Sequence, residues 1–179
     1  MSRIKLDAPI AAFLDLIAWA EGTSTHKLTH DDGYDVIVSG VDGLHTFSDY
    51  SIHPFSQGRA PVVVRPDPNK ILSTASGRYQ FELATWEELS KLINRATFDP
   101  VSQDYACLHL LESNRAITPI LSGQMGAAFE RVCTIWASFP GNLYGQGGKT
   151  AEELVQEYAL CKARALQDAY LAQQPGVTA

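Results

Sequence analysis

The sequence predicts an α+β domain in which a mainly helical lobe faces a small β-sheet lobe. Three observations lead there. Residues 23 to 80 are rich in Gly, Pro, Asp, Ser and His and hold only short β-branched runs. From Phe81 onward, apolar residues recur at helical spacing. One further apolar helix precedes the loop-rich stretch. With 179 residues, the chain is expected to form one domain (1 to 179) with a substantial core.

The elements follow in order. From Ala11, the residues Phe13, Leu14, Ile17 and Ala20 mark a core-facing helix that stops at Glu21-Gly22, glycine being the usual residue just past a helix end. Val36-Ile37-Val38 and Val62-Val63-Val64 predict strands of a small sheet. Pro61, Pro66 and Pro68 flank the second run, which therefore reads as an edge strand or extended loop. Loops of this extent inside a compact domain usually have a function, such as lining a cleft. Leu83, Trp86, Leu89, Leu92 and Ile93 mark the next helix. Asp99-Pro100 is an N-cap and first-turn pair opening another, with Ala106, Cys107, Leu110 and Leu111 on its stripe. Met125, Phe129, Val132, Cys133 and Trp136 form a further stripe. Thr150-Ala151-Glu152-Glu153 is a capping box ahead of Leu154, Tyr158, Cys161 and Ala165. These Met, Cys and aromatic stripes are core packing, not cofactor sites. There is no internal repeat, and the tail after Gln173 is expected to fray.

Composition narrows the partners. Hydrophobic content of 45% and charged content of 19% are ordinary for a globular protein. A formal net charge of -6 argues against nucleic acid and against electrostatic capture of an anionic polymer. A polyanionic substrate must then be held by local contacts in a groove. Cys107, Cys133 and Cys161 are an odd set without metal-ligand spacing, which reads as reduced core thiols in a protein that folds in a cytoplasm. Neither an export signal nor a run of membrane-spanning length is legible. The last helix sets Glu152, Glu153, Glu157 and Asp168 against Lys162 and Arg164, so stable membrane binding is not expected.

Glu21 is the first candidate for chemistry. A carboxylate at a helix C-terminus faces the negative end of the helix dipole, and partial burial beside Trp19 adds desolvation. Both raise a carboxyl pKa, the direction a general acid for glycoside cleavage requires. The same residue also reads as a solvated Glu at a fraying helix end. Two other segments stand out: Ser73-Thr74-Ala75-Ser76-Gly77-Arg78-Tyr79-Gln80, and Ile135-Trp136-Ala137-Ser138-Phe139-Pro140-Gly141 with Tyr144-Gly145-Gln146. Taken singly, the first reads as a turn and the second as a helix stop. Their combination and order are more specific.

Over about residues 10 to 165 the chain resembles the lambda-type lytic transglycosylases, the endolysins of bacteriophage lambda and its relatives. The resemblance rests on the Glu21 segment, Gly33-Tyr34-Asp35-Val36-Ile37-Val38, Phe47-Ser48-Asp49-Tyr50 with His53-Pro54, Gly77-Arg78-Tyr79-Gln80, Ser102-Gln103-Asp104 and the Ile135 to Gln146 segment. It implies a lysozyme-like fold with a glycan-binding cleft between the lobes. Glu21 matches the family's catalytic acid/base. Implied too is cleavage of the β-1,4 bond between N-acetylmuramic acid and N-acetylglucosamine in peptidoglycan, leaving a 1,6-anhydro end. Two mobile family segments would fall near residues 53 to 69 and 136 to 147. Extra residues around Val41 to Thr46 and Phe55 to Pro66 depart from the family pattern and lengthen the upper lip.

The chemistry needs one carboxyl, since the muramic acid 6-hydroxyl attacks the anomeric carbon from within the sugar. A hydrolase would want a second carboxylate near the scissile bond. Asp31 and Asp32 raise that possibility, and also read as a turn before the following strand. Asp35 matches a family residue and equally reads as a hydrogen bond to loop backbone. Expected sugar contacts are Tyr79, Gln80 and Tyr144, with Ser138 and Gln146 weaker: an aromatic face covers a pyranose, and amides or hydroxyls pair with N-acetyl groups. Core packing is the competing reading for Tyr79 and the preferred one for Trp136. His26, His30, His45 and His53 invite a zinc site, but no His-Glu-x-x-His pattern accompanies them, so neither metal nor cofactor is expected. The expected route to the wall is release from the host cytoplasm through a holin.

Overall fold

The computed structural model describes residues 1–141 and 148–174. Its elements are α1 (Ala8–Ala20), β1 (Val36–Gly40), β2 (Gly43–Thr46), β3 (Val62–Arg65), β4 (Ile71–Ser73), α2 (Leu83–Leu92), α3 (Pro100–Ser113), α4 (Ile117–Leu121), α5 (Met125–Val132) and α6 (Ala151–Leu171). They fall into two compact units. One is built from Met1–Ala20 and Leu111–Ala179, the other from Glu21–Leu110.

In the first unit α1 is more apolar than a one-sided stripe. Every residue from Ala12 to Ala18 is buried, Asp15 included, as suits a helix enclosed by others. Phe13 stacks on Phe139 at 6.0 Å and meets Tyr158 edge-on at 6.3 Å. The α6 stripe of Leu154, Tyr158, Cys161 and Ala165 is buried as expected. Its capping box is complete: the Glu153 amide donates to Thr150 Oγ1 and the Thr150 amide to Glu153 Oε2. The Met125 stripe does not stay helical to Trp136. The helix ends at Val132, and a turn from the Val132 carbonyl to the Trp136 amide carries the buried indole onward. Short α4 has no stripe to announce it, and its Pro119 sits in the first turn, where the missing N–H costs nothing.

The second unit holds two two-stranded antiparallel sheets, β1–β2 and β3–β4, rather than one. Val36 pairs with Thr46 and Val62 with Ser73. The proline-flanked run is a strand that pairs with β4, and its Val63 carbonyl also accepts from the Val41 amide at 2.9 Å. Ile37, Phe55 and Val62 pack between the sheets. The division of the chain also differs from a break at Phe81: α2 and most of α3 belong with the sheets. The cause is polar. Capped by Asp99, whose Oδ1 accepts from the Ser102 amide at 2.9 Å, α3 brings fully buried Gln103 and Asp104 onto residues 34 and 77 to 79. Leu92, expected on the α2 stripe, is 66% exposed.

Candidate active site

Glu21 follows the last residue of α1, and Gly22 takes the left-handed conformation, φ 74°, that ends the helix. The chain beyond it is clamped. Thr23, buried, donates its hydroxyl to the Arg78 carbonyl at 2.6 Å. Gly33 packs so closely that a Cβ there would lie 2.8 Å from the Thr23 carbonyl carbon. Glu21, partly buried, lines a cavity of about 360 Å3 together with His26, Ser39, Gln80 and the backbone course of β1.

The Gly77 to Gln80 segment forms the turn opposite. Gly77 has φ 77°, and a Cβ on it would come within 2.2 Å of Gln103 Oε1. Arg78, 1% exposed, pairs with Asp32 Oδ1 at 3.0 Å, also donates to the Asp32 carbonyl, and lies over the Tyr34 ring. Its amide donates to Gln103 Oε1 at 2.8 Å, while the Gln103 amide nitrogen donates to the Tyr34 and Phe98 carbonyls. Gln80 is left-handed as well, φ 52°, and donates from its side-chain amide to the Gly77 carbonyl at 2.9 Å. A non-glycine residue held there by its surroundings is strain of the kind found at functional sites.

The structure corrects one sugar contact. Tyr79 is fully buried, and its hydroxyl donates to Asp104 Oδ1 at 2.6 Å. Burial pushes its phenol pKa well up, with Tyr34 and Asp104 adding to the effect. A ring enclosed in this way supports the turn that carries Gln80 and offers no face to a pyranose. Gln80 and Glu21 do share a cavity. Asp35 is elsewhere: its carboxylate accepts from Thr29 Oγ1 and from the His30 amide at 2.8 Å, holding the loop. Asp35 and Asp31 line a second cavity of about 340 Å3, where Asp31 Oδ2 accepts from the Tyr50 hydroxyl. Asp32 and Gly33, at φ 53° and 90°, make the turn expected of them. Ser138 lies in the first unit, its carbonyl accepting from the Lys149 amide at 2.9 Å. Tyr144 and Gln146 lie outside the described residues.

Among the described residues, no group of three His, Cys, Asp or Glu could hold a metal ion. The buried His53 is structural: its Nε2 donates to the Phe81 carbonyl at 3.0 Å. A larger cavity, about 500 Å3, lies in the first unit between the N-terminal segment and α6. It is mostly apolar and holds none of the expected site residues. Sequence reasoning did not bring His26 and Ser39 to the Glu21 cavity. His26 is five residues past Glu21, which was a signal, while Ser39 had none.

A partly buried carboxyl just past a helix end shares its cavity with the polar Gln80 turn in an α+β protein. An endolysin family model matches residues 11–164, and the chain belongs to that family. It is 45% identical to the endolysin of Escherichia phage P2 over 87% of this chain and 93% of that protein. With the endolysin of Escherichia phage lambda it shares 38% identity over 82% of this chain and 87% of the relative. Bacteriophage lambda lysozyme complexed with a chitohexasaccharide superposes with a TM-score of 0.78 at 35% identity, covering 88% of this chain and 96% of that one. A second structure of lambda lysozyme gives 0.74 at 33% identity. The fold is lysozyme-like, and the protein is a phage endolysin, a lysozyme-like enzyme acting on peptidoglycan.

Proposed function

We propose that the protein is a peptidoglycan lytic transglycosylase with Glu21 as its general acid and base. One observation carries the reading: of the described residues lining the Glu21 cavity, Glu21 alone bears a carboxyl, while Asp31 and Asp35 line another. Glu21 protonates the bridging oxygen as the bond from the muramic acid anomeric carbon breaks. The carboxylate so formed takes the proton of the 6-hydroxyl as that oxygen closes on the same carbon. Glu21 ends protonated as it began, and no water is consumed. Gln80, at the cavity wall, is the best supported of the glycan contacts, with Ser138, Tyr144, Gln146 and Asp35 as further candidates. The chitohexasaccharide bound to lambda lysozyme supports a sugar polymer as ligand.

The test is product mass. Purified peptidoglycan digested by the protein should yield 1,6-anhydro muropeptides; ends one water heavier would make it a hydrolase. Glu21→Gln should lower the rate at least about a hundredfold, the scale of lost general acid catalysis, with an unchanged melting temperature. We also propose that the enzyme folds in the host cytoplasm, a reading supported by three free, buried cysteines, and reaches the wall after a holin opens the membrane. Lysis by expressed enzyme without a holin would refute that route.

A further inference from the structure

We infer that His26 is a glycan-binding residue of the Glu21 site, donating from Nε2 to an acceptor oxygen of an N-acetylated sugar; this rests on the glycan reading above. His26 is held by the turns that follow Glu21, its amide donating to the Thr23 carbonyl at 3.1 Å and its carbonyl accepting from the Thr29 amide at 3.1 Å. Its partly buried ring lines the cavity that Glu21 and Gln80 share. Nδ1 accepts from the Leu28 amide at 3.3 Å, so a neutral ring carries its proton on Nε2. That Nε2 is buried and makes no hydrogen bond to any described residue.

A buried donor without an acceptor costs about 1–3 kcal/mol, whereas the Leu28 bond, at 3.3 Å, is a weak tether. The ring therefore gains by turning toward an acceptor that enters the cavity. Glu21 supplies the acid there and Gln80 spends one of its two side-chain N–H groups on the Gly77 carbonyl, so the imidazole adds a second side-chain donor for the substrate. An N-acetyl carbonyl is the strongest neutral acceptor on an amino sugar and recurs along every glycan strand.

The test uses full-length Glu21→Gln, which should bind without turning over, and chitohexaose as the probe. Titration calorimetry is run on Glu21→Gln alone and with His26→Phe or His26→Gln added. Loss of the donor in His26→Phe should weaken binding about tenfold, the upper end for a neutral hydrogen bond. His26→Gln keeps an N–H at similar reach and should stay within about threefold of the parent. The His26 Nε2 nitrogen resonance of Glu21→Gln should shift on saturation with sugar. Equal affinity for the parent and His26→Phe overturns the contact while leaving the transglycosylase reading standing. An unmoved Nε2 resonance does the same even if the Phe variant fails to fold. No binding by Glu21→Gln itself would overturn both.

Discussion

The Tyr79 hydroxyl donates to Asp104 Oδ1 at 2.6 Å, and with the bond from the Arg78 amide to Gln103 Oε1 it joins the candidate active-site turn to the interior of α3. Tyr34 donates to the same oxygen at 2.7 Å, and its ring stands edge-on to Tyr79 at 6.4 Å. Burial pushes the Tyr34 phenol pKa up, with the Asp104 charge next in size, so both hydroxyls stay protonated donors.

Asp104→Leu should therefore remove the carboxylate acceptor that two buried hydroxyls share. We expect a loss of about 3 kcal/mol or more in urea denaturation, against about 1 kcal/mol for Tyr79→Phe, which removes a single donor. An Asp104→Leu variant within about 0.5 kcal/mol of the parent would contradict this arrangement.

Two glycines separate strain from crowding. A Cβ on Gly22 meets nothing within 4 Å, so Gly22→Ala should cost only the left-handed penalty, about 1–2 kcal/mol. Gly77→Ala adds a 2.2 Å clash with Gln103 Oε1 and should cost more, displacing Gln80 and lowering activity. Equal melting temperatures for the two variants would count against the packing at Gly77.

His53 sets a pH dependence. Burial lowers its pKa below 6.5, outweighing the opposing pull of the Phe81 carbonyl and of Glu82 and Glu87. The unfolded chain then binds more protons across the window between the folded value and about 6.5. Stability from this group is complete above that window and is lost as pH falls through it. His53→Gln should flatten the acid limb of the urea midpoint below about pH 6.5; an unchanged slope would assign that limb to the carboxylates.

Thiol chemistry gives a direct probe of burial. Burial pushes the Cys161 thiol up to about 11 and the Cys107 thiol well above its ordinary value. Alkylation at pH 8 followed by peptide mapping should leave both unmodified in the native protein and label both in urea. Fast native labelling of Cys107 would mean that the α3 interface opens readily.

Local signals were legible without coordinates. The Gly22 helix stop, the Asp99 cap, the Thr150 capping box and the proline-flanked strand each depend on groups within a few residues, so composition and spacing specify them. The stripes of α1 and α6 were legible for the same reason. Glu21 could be singled out because a carboxyl just before a helix-ending glycine is locally conspicuous.

Tertiary structure decided which polar residues face the cavity and which support it. Tyr79 and Gln80 are neighbours in one motif, yet one is fully buried and the other lines the Glu21 cavity. That choice depends on Asp104, 25 residues further on, whose carboxylate offers a buried hydroxyl its acceptor. Asp32 is likewise claimed by Arg78 and Asp35 by its own loop, while His26, an ordinary loop histidine by sequence, arrives beside Glu21. Hydrophobic spacing along the chain determined where helices and strands form. The partner of each buried polar group was settled only when distant segments met, because desolvating such a group is tolerable only where an acceptor or donor already waits.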